Sequence, residues 1–338
     1  MNKQILFTEI NTAALVEVEE KAVSENDVVV KTMYSSISCG TERANIMGNP
    51  NITPYSDKEE VSFPRCSGYS SSGIVIGKGE NVKSVNVGDK VAMHWSVHKD
   101  INVLPEKHIV KVDNNVSMQA AALCHIGTFS MAALRKTKLE IGESAMIMGL
   151  GVLGLLAVQF AKAAGAVPVI AVDPNPDRRI KAAKMGADYT FDPYDDSFIE
   201  NVKKITGGGV NTAIEVTGLG VGLVQCLDCM KRFGRIALLG CIRDKNFTLD
   251  YYRKVHGPGI TIVGAHTLAR PETESSPHWF TQRDDAKAIL KLCGMGRINL
   301  DETIDEVYNP QNCREVYNRL ISDKNFPAIT QFDWSQLK

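Results

Sequence analysis

The residues best suited to chemistry in this chain are three glycines and an aspartate. Gly149, Gly151 and Gly154 lie in the stretch SAMIMGLGVLGLLAVQFAKAAG, where an apolar run passes into a helical pattern. A G-x-G-x-x-G series carries little weight alone, but between a strand and a helix it has the context a dinucleotide turn requires. In such a turn Gly149 lets the chain reverse tightly. Gly151 lets backbone approach a pyrophosphate, and Gly154 lets the helix close on the sheet. Val152 and Leu153 open the helix, whose first N–H groups and partial positive charge face the phosphates. The next apolar run, VPVIAVD, ends at Asp173, 24 residues after Gly149. A carboxylate there accepts the ribose 2′- and 3′-hydroxyls and repels a 2′-phosphate, so the pattern points to NAD in preference to NADP. Arg178 and Arg179 follow at the start of a helix and soften that preference; Arg178 is counted with the cofactor residues.

The elements that must hold this turn follow from the texture of the chain. Up to about residue 120, runs such as VVVKTMYSSIS, SGIVIGKG and DKVAMHWSV are rich in β-branched residues and broken by Gly, Asn and Asp. From about residue 127, the apolar runs SAMIMG, VPVIAVD, TAIEVTG, RIALLG and GITIVG alternate with helical patterns, among them DRRIKAAKMG and GLVQCLDCMKRFG. Continuous apolar strands separated by helices predict an α/β fold with a parallel sheet covered on both faces. One or two further helices are expected after residue 268, in DDAKAILKLCGMG and NCREVYNRLIS.

Bulk properties narrow the function classes. The chain has 338 residues, 44% of them hydrophobic and 23% charged, which suits two globular domains. A formal net charge of -1 disfavours nucleic-acid binding. No apolar run approaches the ~20 residues that span a bilayer, and the start, MNKQILFTEI, lacks a signal-peptide pattern. The expectation is a cytoplasmic protein acting on a small molecule, without nucleic-acid or membrane partners. The cysteines at 39, 66, 124, 226, 229, 241, 293 and 313 are then expected to be reduced. Cys226 and Cys229 have CxxC spacing, but in a helical setting with no second pair they read as ordinary helix cysteines.

Several further motifs give the chain a family resemblance. They are CGTE at 39–42, GYSSSG at 68–73, VGDKV at 87–91, the glycine turn, AKMGAD at 183–188, IEVTG at 214–218 and GRIALLG at 234–240. Together they resemble the medium-chain dehydrogenase/reductase (alcohol dehydrogenase-like) superfamily over nearly the whole length. SCGTER with GYSSSG is similar to a subgroup that includes bacteriochlorophyllide hydroxyethyl dehydrogenases. The resemblance implies a GroES-like β-rich catalytic domain over 1–124, a Rossmann doubly wound parallel-sheet domain over 125–267, and a C-terminal return to the catalytic domain over 268–338. It implies that Thr128, Thr217, Gly240, Ile242, Ala265 and His266 line the nicotinamide site. It also implies a homodimer or homotetramer joined through GITIVG.

The resemblance breaks at the metal. Zinc-dependent members use a Cys, a His and a third Cys or Glu, with one position open for substrate. Cys39 and Cys124 match the first and third positions, but Tyr69 stands at the histidine and Ser70 at the neighbouring acid. A neutral phenol is a poor zinc ligand, so no metal ligand is assigned and zinc is the less favoured alternative. A structural zinc lobe is rejected, since no cysteine lies between 92 and 123. Without zinc, hydrogen-bond donors must polarise the substrate oxygen. Thr41, Tyr69 and His125 are the expected catalytic residues. Glu42 matches a family acid that pairs with arginine, and Arg43 is read as a substrate contact or a solvated charge. The implied activity is NAD-dependent interconversion of a secondary alcohol, polyol or sugar-like, and a ketone. The alternatives are a zinc-free enoyl or quinone reductase and a non-catalytic NAD-binding sensor.

Overall fold

The computed structural model describes residues 2–49, 61–241 and 246–337. Among these residues the strands form three sheets, and the chain divides into two compact units. One comprises 1–126 with 286–338, the other 127–285. Both crossings fall inside helices, Cys124–Lys136 and Gln282–Gly294.

The 127–285 unit is built on a six-stranded sheet with every pairing parallel. Its spatial order is Tyr189–Phe191, Val169–Val172, Ala145–Met148, Val210–Glu215, Met230–Leu238 and Thr261–Gly264. The chain starts in the middle, builds outward to one edge, then returns to build the other half, which is the Rossmann order. Ala145–Met148 and Val169–Val172 are buried along their whole length, as the unbroken apolar runs require. The fold is therefore the α/β class expected, and the glycine turn leaves the sheet where the strand order reverses.

Two boundaries differ from expectation. The helical pattern GLVQCLDCMKRFG ends early, because the helix spans only Gly220–Asp228 and a strand begins at Met230. The register slips between Val210 and Thr212, where Phe233 takes a positive φ of 63°. That irregularity lets a polar KRF segment enter a strand. The second junction falls at 285/286 instead of 267/268. Residues 268–285 stay with the Rossmann unit because Arg270 donates to the Thr128 carbonyl, and Arg135 and Arg270 pair with Asp285.

The other unit carries a seven-stranded sheet in which Asp27–Ser36, Ser70–Lys78 and Lys90–His94 pair antiparallel. Thr330–Asp333 from the C-terminal segment joins the same sheet beside Asp27–Ser36. Its core gathers Phe7, Ile37, Ile46, Tyr317, Phe332 and Trp334. Burying each such side chain contributes about 1.5–3 kcal/mol, so the C-terminal return is integral to this unit. No helix among the described residues is long and apolar enough to cross a membrane.

Candidate functional site

The glycine turn shows a distinct physical need at each position. Gly149 has φ +101°, a left-handed conformation that favours glycine. A Cβ at Gly154 would lie 1.8 Å from the Gly149 carbonyl oxygen, so only glycine lets the helix Val152–Ala163 close on the turn. Gly151 differs from both. Its φ is -70°, it caps the helix with no side-chain hydrogen bond, and a Cβ there would meet nothing within 4 Å. That opening over helix N–H groups leaves room beside a partial positive charge, which fits the diphosphate of the dinucleotide implied by the fold.

Asp173 closes one side of the turn. It is 5% exposed. Its carboxylate accepts the Leu150 N–H at 2.8 Å and the Asn175 N–H at 2.9 Å. Arg178 stands 3.8 Å from the same carboxylate. Asn175 caps the helix Pro176–Lys184 by accepting the Asp177 and Arg178 N–H groups. Arg179 turns back to the Asp173 and Pro174 carbonyls and is committed to the loop.

Of the other residues expected near the nicotinamide, Thr217, Gly240, Ala265 and His266 fall on loops that follow the later strands, and Thr128 lies in the helix Cys124–Lys136. The Thr217 methyl lies by Gly149, and its hydroxyl and N–H both donate to Glu215. Burial pushes the Glu215 carboxyl up, against the lowering effect of those hydrogen bonds. Gly240 is packed so closely that a Cβ would sit 2.4 Å from the Gly218 nitrogen. Ala265 is buried and donates its N–H to the Leu238 carbonyl. The His266 ring accepts the Leu268 N–H, and burial and the Lys136 charge hold its pKa below the usual value. Thr128 is fully buried. Ile242 lies outside the described residues.

In the other unit, Tyr69, Thr41 and His125 come together. The Tyr69 hydroxyl donates to Ser38 Oγ, and the Thr41 hydroxyl also bonds it. Burial pushes the Tyr69 phenol well above its ordinary pKa, only partly offset by these two hydroxyls. The ring is set by His125 at 5.6 Å edge-on and Trp95 at 6.2 Å. His125 is itself buried, stacked on His94 at 4.9 Å. The Cys39 thiol points at the Pro327 and Ala328 carbonyls, and the Cys124 thiol donates to Ala286 O at 3.5 Å. Among the described residues no three His, Cys, Asp or Glu side chains gather as a metal site.

Comparison with known proteins finds relatives named as dehydrogenases. Residues 152–282 match the zinc-binding dehydrogenase family model. D-guloside 3-dehydrogenase of Shigella flexneri is 26% identical over 337 residues, covering 94% of this chain and 96% of that protein. L-threonine 3-dehydrogenase of Pyrococcus horikoshii is 27% identical over 328 residues, 88% of each. The crystal structure of 2R,3R-butanediol dehydrogenase from Bacillus subtilis superposes with a TM-score of 0.83 at 23% identity, over 98% of this chain and 99% of that one. The chain is thus similar along most of its length to proteins named as dehydrogenases, and it shares their fold.

Three groups of polar residues escape sequence reading. The Glu42 carboxylate is 1% exposed, and its partners among the described residues are a backbone amide, a tyrosine and a histidine. It accepts the Ser38 N–H at 2.8 Å, the Tyr317 hydroxyl at 2.5 Å and His98 Nε2 at 3.1 Å. His98 continues to Ser35, which also accepts the Trp334 indole N–H. Arg43 is half-buried and turned toward backbone. It donates to the Leu320 and Asp323 carbonyls at the end of the helix Cys313–Ser322. The third group is Lys136 and Arg270, whose donors converge on the loop after Gly264. Only their placement at the end of one helix and in a polar loop was visible beforehand, and both patterns usually mean solvated charge.

Proposed function

We propose that the protein is an NAD(H)-dependent oxidoreductase that interconverts a secondary alcohol, polyol or sugar-like, and a ketone. The observation that carries this reading is the open glycine cradle beside Asp173 at the reversal point of the parallel sheet. The diphosphate would rest on the N–H groups around Gly151, Val152 and Leu153. Asp173 would take the ribose hydroxyls, with Arg178 at its edge. Thr128, Thr217, Gly240, Ala265 and His266 would line the nicotinamide end. The substrates named for the relatives, a guloside and threonine, all present a hydroxyl on a polar carbon frame, which supports a polar secondary alcohol here.

When bound, the nicotinamide accepts or returns the hydride. The chain's own task is then the proton and the oxygen. Tyr69, kept protonated by its surroundings, would donate to the oxygen as a ketone is reduced. Thr41 and Ser38 flank the same hydroxyl and offer it a path for the proton. His125 would back the tyrosine ring. The donor set does not fit a catalytic zinc. Tyr69 holds its proton, and the Cys39 and Cys124 thiols are turned to backbone carbonyls.

We also place the protein in the cytoplasm as a homodimer or homotetramer. The exposed edge strand Thr261–Gly264 would pair with a second copy, since an open edge otherwise invites aggregation. Light scattering tests this.

The cofactor reading is tested by titrating the protein with NADH and NADPH and following fluorescence. Saturable NADH binding, tighter than NADPH, is expected; no uptake of either nucleotide ends the reading. Turnover on a polyol and hydroxy-ketone panel then separates an enzyme from a sensor. On the substrate found, Tyr69→Phe should lower kcat by 10²-fold or more at saturating cofactor. A parent-level kcat would remove Tyr69 from the mechanism.

A further inference from the structure

The loop that carries Ala265 and His266 is held by two cations from below. Lys136, in the last turn of the helix Cys124–Lys136, is 6% exposed. Its ammonium donates to the carbonyls of Gly264 at 3.0 Å and Ala269 at 2.5 Å, and it lies 4.8 Å from the Trp279 ring centroid. Arg270 donates to the Thr267 carbonyl at 3.0 Å and to the Thr128 carbonyl at 2.9 Å. The two side chains thus collect carbonyls from both ends and the middle of one short loop. Buried cations are rare unless paired, and the Lys136 head is spent on backbone oxygens. Such an arrangement fixes loop shape more than it adds stability.

We propose that Lys136 is a positioning residue for the nicotinamide end of the cofactor, acting by shaping the 264–269 loop. The inference rests on the reading that Ala265 and His266 meet the nicotinamide. With the lysine in place, the Gly264 and Ala269 carbonyls face the ammonium, and the Ala265–His266 backbone between them is held for the ring. A neutral side chain of similar length leaves both carbonyls without a charged donor. The loop then samples other shapes, and the ring loses a prepared surface. The adenosine half, which meets Gly151 and Asp173, is untouched.

That division makes the test. Lys136→Met and the parent are titrated with NADH and, separately, with ADP-ribose, which has the same adenosine diphosphate and no nicotinamide. The expected result is an NADH affinity about tenfold weaker with ADP-ribose affinity unchanged. Amide hydrogen exchange of 264–269 in the free protein should also be faster in the variant. Equal losses for both ligands, or no loss for either, would overturn the assignment. Should Lys136→Met fail to fold, Lys136→Gln, which keeps one donor head, carries the same comparison. If the parent binds ADP-ribose but not NADH, Ala265 and His266 do not meet a nicotinamide and the inference falls with them. If it binds neither, the cofactor reading itself has failed.

Discussion

The Asp173 carboxylate accepts the backbone N–H of Leu150 at 2.8 Å, tying the acid to the glycine turn it serves. One side chain therefore organises the turn, and in the proposed cofactor site it would also set the charge presented to a ribose. Asp173→Asn keeps an oxygen for the Leu150 amide and removes the charge. Arg178, now 3.8 Å from that carboxylate, would be released toward a 2′-phosphate. NADPH binding should tighten about tenfold, while NADH weakens several-fold. Fluorescence titration with both nucleotides reads this, and an unchanged preference would show that Asp173 does not face the ribose.

Gly151 and Gly154 invite opposite outcomes from the same substitution. In Gly154→Ala the new methyl would sit 1.8 Å from the Gly149 oxygen, so the helix must move, at a cost of about 1–3 kcal/mol. In Gly151→Ala the methyl meets no protein atom within 4 Å, and the protein should melt where the parent does. It would occupy the diphosphate cradle, however, and NADH affinity should fall about tenfold or more. Melting curves and NADH titrations on the two variants separate a folding glycine from a binding one. Loss of stability in both, with no binding defect in Gly151→Ala, would argue against a cradle.

The contrast between these two glycines shows what the sequence makes legible. Local patterns such as the glycine series, the continuous apolar strands and the acid at Asp173 are set by short-range geometry, so the parallel sheet and its turn can be read directly. The network around Glu42 is set by residues brought from 35, 98, 317 and 334, and nothing local marks them as partners. Arg43, Lys136 and Arg270 share that difficulty. A cation in a helix or loop looks solvated until the carbonyls that face it are known. The GLVQCLDCMKRFG segment departs from its helical pattern for a related reason, since sheet pairing at Met230 overrides the helical spacing.

Glu42 gives the sharpest stability test. Glu42→Ala would strip the Tyr317 hydroxyl, the His98 ring and the Ser38 N–H of one shared acceptor in a buried site. Leaving several buried donors unmet should cost about 3 kcal/mol or more. Glu42→Gln retains one acceptor oxygen and should lose less. Arg43→Ala removes only the cap on the Leu320 and Asp323 carbonyls, worth about 1 kcal/mol. Urea unfolding should therefore rank the variants Glu42→Ala, Glu42→Gln, Arg43→Ala from least to most stable. A Glu42→Ala midpoint at the parent value would mean the network carries no net stability.

Asp285 provides a pH test in which the sign is decisive. Burial pushes its carboxyl up from 3.8 to about 6, outweighing the lowering effect of Arg270 and Arg135. Below pH 3.8 the folded and unfolded states both hold the proton. Between there and about 6 the unfolded chain has released it and the folded chain has not, so the folded state binds more protons and its stability falls as pH rises. Above about 6 both states are ionised and the loss is complete. The loss is on the order of 3 kcal/mol. Asp285→Asn has no such proton, so the parent-minus-variant difference in unfolding free energy should decline between pH 4 and 6 and level off above. A difference that rises over this range would mean that the pairing with Arg135 and Arg270 outweighs burial, leaving the carboxylate ionised well below pH 6 and the anchor of the 268–285 segment strongest at neutral pH.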